Sequence, residues 1–350
     1  MSDPDGLEGV VAPEQQHQLW GHAAARATIL ERLANGRLPG AVLMHGPQGI
    51  GKATLAFQLA RDILIATGDE NAERVGDQIA SGSHPNVFVL RRGLNKAGTK
   101  TATVITVDQI ARRQGGDPNA LRDRLHQTRG RQGQRIVVID SIDDCNANAA
   151  NALLKVLEEP PADTTFFLIS HRPGQLLPTI KSRCHSLALR PLGDDDVRAV
   201  LNDQRPELTA EQLDRAVALA GGRPRRAFET LALGEETALG ALQAWLSAPT
   251  RHPSAVHLQL AEALGADPQS TELSFAREML ADWLADEARA AAIQPNGRYR
   301  LASANALWDK TQAQFAEADS INLDMKQTLV AIFDAIRQHI ETTTPISIEP

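Results

Sequence analysis

The sequence predicts an α/β protein: a doubly wound parallel sheet organised around a phosphate-binding loop (P-loop), with a small helical lid domain and an all-helical C-terminal domain. Residues 46–54 read Gly-Pro-Gln-Gly-Ile-Gly-Lys-Ala-Thr and lie between a short apolar run and a helical pattern. Apolar runs of strand length then alternate with helical patterns to about residue 189, and from about residue 240 only helical patterns remain. Alternation of this kind is typical of a parallel sheet with helices on both faces.

Composition narrows the class of protein. The chain has 350 residues, enough for two or three domains, and its hydrophobic content of 42% supports a proper core. The net charge of −7 disfavours a surface that binds nucleic acid along its whole extent. No apolar run approaches the roughly 20 residues of a membrane span, and the N-terminal residues lack a signal pattern. With only Cys145 and Cys184 to form a disulfide, we expect a cytoplasmic protein.

The N-terminal half contains the predicted sheet. A helix is predicted over residues 19–37, where apolar positions recur at helical spacing. Apolar runs predict strands at residues 41–44, 87–90, 135–140 and 165–169. The basic stretch 91–103 has no apolar period and is predicted to be a solvated loop.

The C-terminal half is predicted to be helical. Short helical patterns occupy residues 194–222 and 225–233, and longer ones follow from residue 240. The predicted division is a tail at 1–12, a nucleotide-binding core at 13–190, a lid at 191–240, a helical domain at 241–341 and a frayed tail at 342–350.

The P-loop provides the first candidate site. Gly46, Gly49 and Gly51 allow the backbone to curl so that its amides point at phosphate oxygens, and the following helix presents its positive end. Lys52 is placed to reach the outer phosphates. The sequence therefore predicts a nucleotide site here.

The same loop lacks one expected residue. The P-loop pattern has Ser or Thr directly after the lysine to bind Mg²⁺, whereas this chain has Ala53. Thr54 supplies a hydroxyl one residue later, about a quarter turn around the helix. The loop is predicted to suit a nucleotide and to be poorly suited to its metal.

A second candidate position ends the strand at 135–140. Asp140 matches the acid that helps to hold Mg²⁺ in nucleotide hydrolases, where a Glu commonly follows to activate water. Ser141 stands there instead, and we expect Asp143 and Asp144 to start the next helix. Losing one catalytic group costs a factor of about 10² to 10⁴ in rate. Together with Ala53, Ser141 predicts no turnover at this chain's own site, although ATP or ADP could still bind.

Several uncommon motifs carry a family resemblance. Residues 151–161 read Asn-Ala-Leu-Leu-Lys-Val-Leu-Glu-Glu-Pro-Pro and residues 182–184 read Ser-Arg-Cys, while 36–40 read Gly-Arg-Leu-Pro-Gly. Smaller marks lie at 107–110 and 322–326. The order and spacing of these motifs are similar to those in the clamp-loader subunits of bacterial DNA polymerase III, which are AAA+ proteins. The chain therefore resembles that family.

The resemblance implies a function. It implies an AAA+ module followed by a helical collar domain, in a complex that places a ring-shaped sliding clamp on primer-template DNA. The degenerate site is similar to that of the stator subunit rather than the ATP-hydrolysing motor. The implied partners are the motor (gamma/tau) and delta subunits through the collar, and the sliding clamp and DNA through the complex. The chain would then belong to a polymerase holoenzyme without being an autonomous ATPase.

The resemblance also implies roles for single residues. Arg183, in the Ser-Arg-Cys motif, would be an arginine finger that points into the neighbouring motor subunit's ATP site. Ser170 matches the polar sensor position and Arg225 the second sensor. Arg223 or Arg226 could serve as that second sensor instead, since the register is open.

A zinc site is not expected. Many members of the family carry a four-cysteine zinc module in the region of residues 67–85, where this chain has no cysteine. His84 is then expected to be a surface histidine, and we predict no bound zinc or other metal.

Two other functions stay open at the level of sequence. One is an autonomous P-loop ATPase with atypical metal ligation, for which turnover by the purified chain would be the evidence. The other is a DNA-binding protein, which the acidic charge balance disfavours.

Overall fold

The fold is described from a computed structural model that covers residues 6–68, 71–93, 101–111, 120–127, 132–234, 237–294 and 297–343. The outermost parts of the two predicted tails lie outside these residues. The chain divides into two compact units, residues 1–229 and 230–350. The three-domain division stays a prediction.

The first unit contains a five-stranded parallel sheet, which has the four strands predicted from the sequence and a fifth, His185–Ala188, that was not predicted. The strands are Ala41–His45 (β1), Val87–Leu90 (β2), Arg135–Asp140 (β3), Thr164–Ser170 (β4) and His185–Ala188 (β5). Their order is β2-β3-β4-β1-β5, and every pairing is parallel. All seven residues of β4 are buried, which explains why an unbroken apolar run, rather than an alternating one, encodes this strand.

Helices connect the strands. The helices described up to residue 232 are Ala23–Ala34 (α1), Lys52–Gly68 (α2), Ala72–Ala80 (α3), Val107–Ile110 (α4), Leu121–His126 (α5), Ala147–Glu158 (α6), Pro178–Lys181 (α7), Asp194–Gln204 (α8), Ala210–Ala220 (α9) and Pro224–Ala232 (α10). Helix α3, which begins after Asn71, was not predicted from the sequence. The Asn71 side chain caps it by accepting hydrogen bonds from the backbone N–H groups of Glu73 and Arg74.

The two faces of the sheet bury different helices. Val42 and Met44 of β1 pack with residues of α1, α2 and α3. Ala41 and Leu43 point to the opposite face and pack with residues of α4, α5, α6 and α7. Because both faces are covered, the carboxyl ends of the strands form an edge that polar loops can occupy. The doubly wound α/β fold predicted from the sequence is confirmed.

In the described residues of the second unit, all the regular elements are helices, as predicted. Its helices after α10 are Leu239–Ser247 (α11), Ser254–Leu264 (α12), Thr271–Ile293 (α13), Arg298–Ile321 (α14) and Met325–Thr343 (α15). Trp245 is fully buried, with its ring centroid 4.8 Å from that of Phe333 and 6.4 Å from that of His257. None of the helices in the described part of the chain combines the length and hydropathy of a membrane span.

Candidate functional site

The P-loop connects β1 to α2 and has the backbone that its glycines predict. Gly46, Gly49 and Gly51 have φ angles of 152°, 81° and 92°, values that residues with a side chain rarely adopt. A Cβ atom added to Gly49 would lie 2.7 Å from the Cβ of Arg225, and one added to Gly46 would meet the carbonyl oxygen of Leu189. Glycine is therefore required at Gly46 and Gly49 for two reasons: the backbone adopts positive φ angles, and neighbouring atoms leave no room for a side chain.

Lys52 begins α2 and is only 3% exposed. Its Nζ donates hydrogen bonds to the carbonyl oxygens of Gly46, at 2.8 Å, and Pro47, at 2.5 Å. Burial lowers the pKa of Lys52 to about 7, against the opposing effect of the Asp140 and Asp143 carboxylates. A phosphate group in the loop would give this ammonium an anionic partner and favour its charged form.

A cleft of about 210 Å³ lies against the P-loop. One part of its wall is apolar and comes from the N-terminal segment 6–20 and from α8 and α10, while the loop supplies the polar part. The lining includes Val11, Trp20, Lys52, Thr54, Asp140, Arg225 and Phe228. An apolar wall beside a phosphate-binding loop fits a nucleotide, whose base is flat and largely apolar and whose phosphates are anionic.

Asp140 lies at the carboxyl end of β3, where the sequence places it, but a guanidinium is already bound to it. Arg91 Nε lies 3.3 Å from Asp140 Oδ2. The two terminal nitrogens of Arg91 donate to the two carboxylate oxygens of Glu14, at 3.0 and 3.1 Å. The Arg91 side chain is 2% exposed, and its guanidinium lies over the ring of Phe57, 5.5 Å from the centroid.

This arrangement corrects the prediction of a solvated loop at its first residue, the buried Arg91, while residues 94–100 of the predicted loop lie outside the described residues. Arg91 directly follows β2, which pairs in parallel with β3. Side chains that follow the carboxyl ends of neighbouring parallel strands lie at the same edge of the sheet, so Arg91 and Asp140 meet. The order of the strands, which the sequence analysis did not predict, was the signal that could have found this pair.

Ser170 ends β4 and is fully buried. Its Oγ donates a hydrogen bond to Asp143 Oδ1 at 2.8 Å, and the backbone N–H of His171 donates to the other oxygen of the same carboxylate. Ser170 thus orients an acid beside the loop, and Asp143 is a site residue that the sequence analysis had set aside.

The predicted role of Asp143 and Asp144 at a helix start is wrong. Both lie in a short 3-10 turn, and α6 begins after Asn146, whose side chain accepts a hydrogen bond from Ala149 N–H. Asp144 accepts a hydrogen bond from Ser141 Oγ at 3.1 Å and lies 3.4 Å from the guanidinium of Arg92. Asparagine caps a helix as well as aspartate does, and Asn146 comes later in the chain than both acids. The helix α6 therefore begins after Asn146.

Comparison with known proteins finds relatives of this chain among DNA polymerase III subunits. Residues 21–193 match the family described as DNA polymerase III, delta subunit. A DNA polymerase III subunit delta' of Pseudomonas aeruginosa is 36% identical over 213 residues, which are 60% of this chain and 58% of that protein. The chain is similar to the delta' subunits of bacterial DNA polymerase III. The resemblance inferred from the motifs is confirmed.

Two further relatives are also DNA polymerase III subunits. The subunit delta' of Bacillus subtilis is 36% identical over 160 residues, 45% of this chain and 44% of that protein. A gamma/tau subunit of Mycobacterium tuberculosis is 29% identical over 234 residues, 65% of this chain and 38% of that protein. The chain thus spans only about half the length of the relatives that it matches.

The arginine implied by the family resemblance as a finger lies outside the cleft. Arg183 follows α7 and is not among the described residues that line the cleft. It donates to the carbonyl oxygen of Thr179 at 2.9 Å and to Glu158 Oε1 at 2.6 Å, and its side chain is 33% exposed. The Ser-Arg-Cys motif therefore presents a partly exposed cation away from the chain's own P-loop.

The three arginines considered for the second sensor have different surroundings. Arg225 lines the cleft, its backbone N–H donates to the Gly49 carbonyl oxygen at 3.3 Å, and its Nε donates to Glu229 at 2.8 Å. Arg226 is 3% exposed, and Arg223 contributes to the lowered pKa of Lys52. Arg225 is the one of the three that faces the cleft.

The region of the family's zinc module holds a buried histidine. His84 is 3% exposed and its Nδ1 accepts a hydrogen bond from the Asn86 N–H, so the expected surface position is wrong. Within the described ranges, no three His, Cys, Asp or Glu side chains are grouped to hold a metal. Burial raises the pKa of Cys145 to about 12 and that of Cys184 to about 11, which leaves both thiols protonated at neutral pH.

Proposed function

We propose that this chain acts as the stator, or delta-prime, subunit of the bacterial clamp loader, in the replisome of the cytoplasm. It holds a nucleotide without hydrolysing it and supplies Arg183 to the ATP of a neighbouring motor subunit. The observation that carries the proposal is the separation of two features. The P-loop cleft keeps the glycines and the lysine that suit phosphates. Arg183, the partly exposed arginine proposed to act in catalysis, lies outside the cleft on the same unit.

The residues of the cleft support nucleotide binding without turnover. The glycine curl, the N-terminus of α2 and Lys52 suit phosphates. Ala53 occupies the position at which a metal-binding hydroxyl is expected. Ser141 occupies the position of a water-activating carboxylate, and it is buried and donates a hydrogen bond to Asp144. A serine hydroxyl is no general base near neutral pH.

The surroundings of Arg183 support action on another subunit. A solvent-exposed ion pair contributes about 0 to 1 kcal/mol, so the guanidinium can leave Glu158 at small cost. A planar cation placed at a γ-phosphate stabilises the charge that spreads over its oxygens in the transition state. An arginine finger of this kind raises the rate by about 10³ to 10⁵ in well-studied cases.

The partners follow from the family. We propose that the helical region 241–341 is a collar that contacts the motor (gamma/tau) and delta subunits. The sliding clamp and primer-template DNA are then contacted through the assembled complex. The acidic net charge of −7 supports this indirect route to DNA.

Reconstitution tests this role. Motor and delta subunits are assembled with and without the chain, and clamp loading and ATP hydrolysis are measured on primed DNA. We expect loading only when the chain is present, because it completes the last ATP site. Equal loading by complexes that lack the chain would contradict the proposal.

The alternative function is an autonomous ATPase. Thr54 and Asp140 line the cleft and favour this alternative, because a hydroxyl and a carboxylate are both present beside the P-loop. ATP turnover by the purified chain, abolished by Lys52→Ala, would establish that function. We expect no turnover above background.

A further inference from the structure

We propose that the P-loop cleft binds a nucleoside di- or triphosphate without Mg²⁺, and that Arg91 takes the place of the metal as the cation bound to Asp140. This inference rests on the proposed function in one respect, namely that the cleft holds a nucleotide. It makes Arg91 a positioning residue, which sets the metal requirement of the site through Asp140 and does not touch the nucleotide.

The first step is that the guanidinium is fixed in place. On one side Arg91 donates two hydrogen bonds to the Glu14 carboxylate, and on the other its Nε lies 3.3 Å from Asp140 Oδ2. Two parallel bonds fix both the position and the plane of a guanidinium, and the Phe57 ring covers one face. The fixed guanidinium therefore stays beside Asp140.

The second step is that Glu14 is itself anchored. It lies in the 3-10 turn Pro13–Gln15, and its side chain is 12% exposed. The next residue, Gln16, is buried and its carbonyl oxygen accepts a hydrogen bond from Gln58 Nε2 of α2, at 2.5 Å. If Arg91 moved to admit a metal ion, Glu14 would become a nearly buried carboxylate without its partner, which is strongly unfavourable.

The third step concerns the other metal ligand. Mg²⁺ in P-loop proteins is bound by the hydroxyl that follows the lysine and by the strand-end Asp, together with phosphate oxygens. Here that hydroxyl is absent at Ala53, and the carboxylate is paired with Arg91. Both protein contacts are thus unsuited to the metal, whereas the phosphate cradle of Gly46, Gly49 and Lys52 is preserved.

The direct test compares ADP and ATP binding in saturating Mg²⁺ with binding in excess EDTA, by titration calorimetry on the full chain. We expect the two dissociation constants for each nucleotide to agree within about threefold. Binding weaker by about tenfold or more in EDTA would overturn the inference.

Variants test the role of Arg91. Arg91→Met removes the cation and keeps an apolar stem, which frees Asp140, so this variant should bind ADP more tightly in Mg²⁺ than in EDTA. The matched control is Arg92→Met, which removes the next charge, paired with Asp144, and should show no metal dependence. A folded Arg91→Met variant that stays indifferent to Mg²⁺ would overturn the role of Arg91.

Two measurements on the wild-type chain test the same inference without the variant. Should Arg91→Met fail to fold, as judged by circular dichroism, electron paramagnetic resonance of Mn²⁺ added to the wild-type chain with ADP decides the question. We expect the spectrum of Mn²⁺ bound to free ADP only, and a protein-bound signal would overturn the inference. Absence of ADP binding in either buffer would also overturn it, while the clamp-loader role is tested separately by reconstitution.

Discussion

At the scale of single residues, Lys52 links the structure of the P-loop to a measurable pH dependence. Burial lowers its pKa to about 7, so the free protein loses this charge as the pH rises through 7. A bound phosphate would hold the lysine in its charged form and so raise its pKa. Above pH 7, binding must therefore take up a proton.

Linkage then predicts that the association constant for ADP falls by up to about tenfold for each pH unit above 7. Titration calorimetry between pH 6 and 9 would measure this change in the association constant. Lys52→Arg is the control, because its charge persists across this range and should remove the dependence. Constant affinity in the wild-type chain over that range would contradict the prediction.

The residue scale is also where sequence reasoning was weakest. Gly46, Lys52 and Asp140 were found because each occupies a fixed place in a motif. Arg91 and Asp143 were missed because their roles depend on which strands are neighbours. Partners of that kind are set by tertiary structure, which local patterns do not report.

At the scale of elements, the P-loop is sensitive to a single added methyl group. Gly49→Ala would force a residue with a side chain to φ 81° and bring its Cβ to 2.7 Å from Arg225. We expect a loss of about 1 to 3 kcal/mol in the free energy of unfolding, measured by chemical denaturation. Gly174→Ala is the matched control, since an added Cβ there meets nothing within 4 Å. Equal stability of the two variants would refute this explanation of Gly49.

The C-terminal helices are joined by a nearly buried carboxylate. Glu287 of α13 is 9% exposed and accepts hydrogen bonds from Arg300 of α14, at 2.5 Å, and from His339 of α15, at 3.0 Å. Burial alone would raise the pKa of Glu287, but the hydrogen bonds and charges of Arg300 and His339 outweigh it and lower the pKa. This interaction stabilises the fold above the ordinary pKa of a glutamate and is lost as the pH falls through the lowered value.

Glu287→Gln should therefore lower the free energy of unfolding by about 3 kcal/mol at pH 7 and flatten its decline in acid. Denaturation of the full chain between pH 3 and 7 would measure both effects. Glu262→Gln is the control, because Glu262 is 76% exposed and its removal should cost less than about 0.5 kcal/mol. A Glu287→Gln variant as stable as this control would show that the network contributes little.

At the same scale, prediction of the elements from the sequence succeeded where burial leaves a clear pattern of apolar residues, either an unbroken run or a helical spacing. The strands β1, β3 and β4 are buried on both faces and appear as unbroken apolar runs. The C-terminal helices were predicted because their apolar residues recur at helical spacing. Helix α3 was missed because it has only nine residues, among which Gly76 disfavours a helix and Asn71 was not read as a cap.

At the scale of the whole molecule, the sequence predicted the α/β sheet, the helical C-terminal region and the family. The metal-independent character of the cleft could not be predicted beyond Ala53 and Ser141. It depends on a chain of contacts from Glu14 through Arg91 to Asp140, which joins three distant segments. Such contacts exist only once β2 and β3 are paired.

The central claim is that the catalytic group of this chain serves another subunit. The direct measurement is ATP turnover and ATP affinity of reconstituted clamp loader that contains Arg183→Ala, compared with Lys181→Ala, an exposed cation two residues earlier. We predict that Arg183→Ala lowers the turnover number at the neighbouring site by about 10³-fold, with assembly intact and little change in ATP affinity. Lys181→Ala should behave as wild type. Unchanged turnover in a fully assembled Arg183→Ala complex would contradict the account.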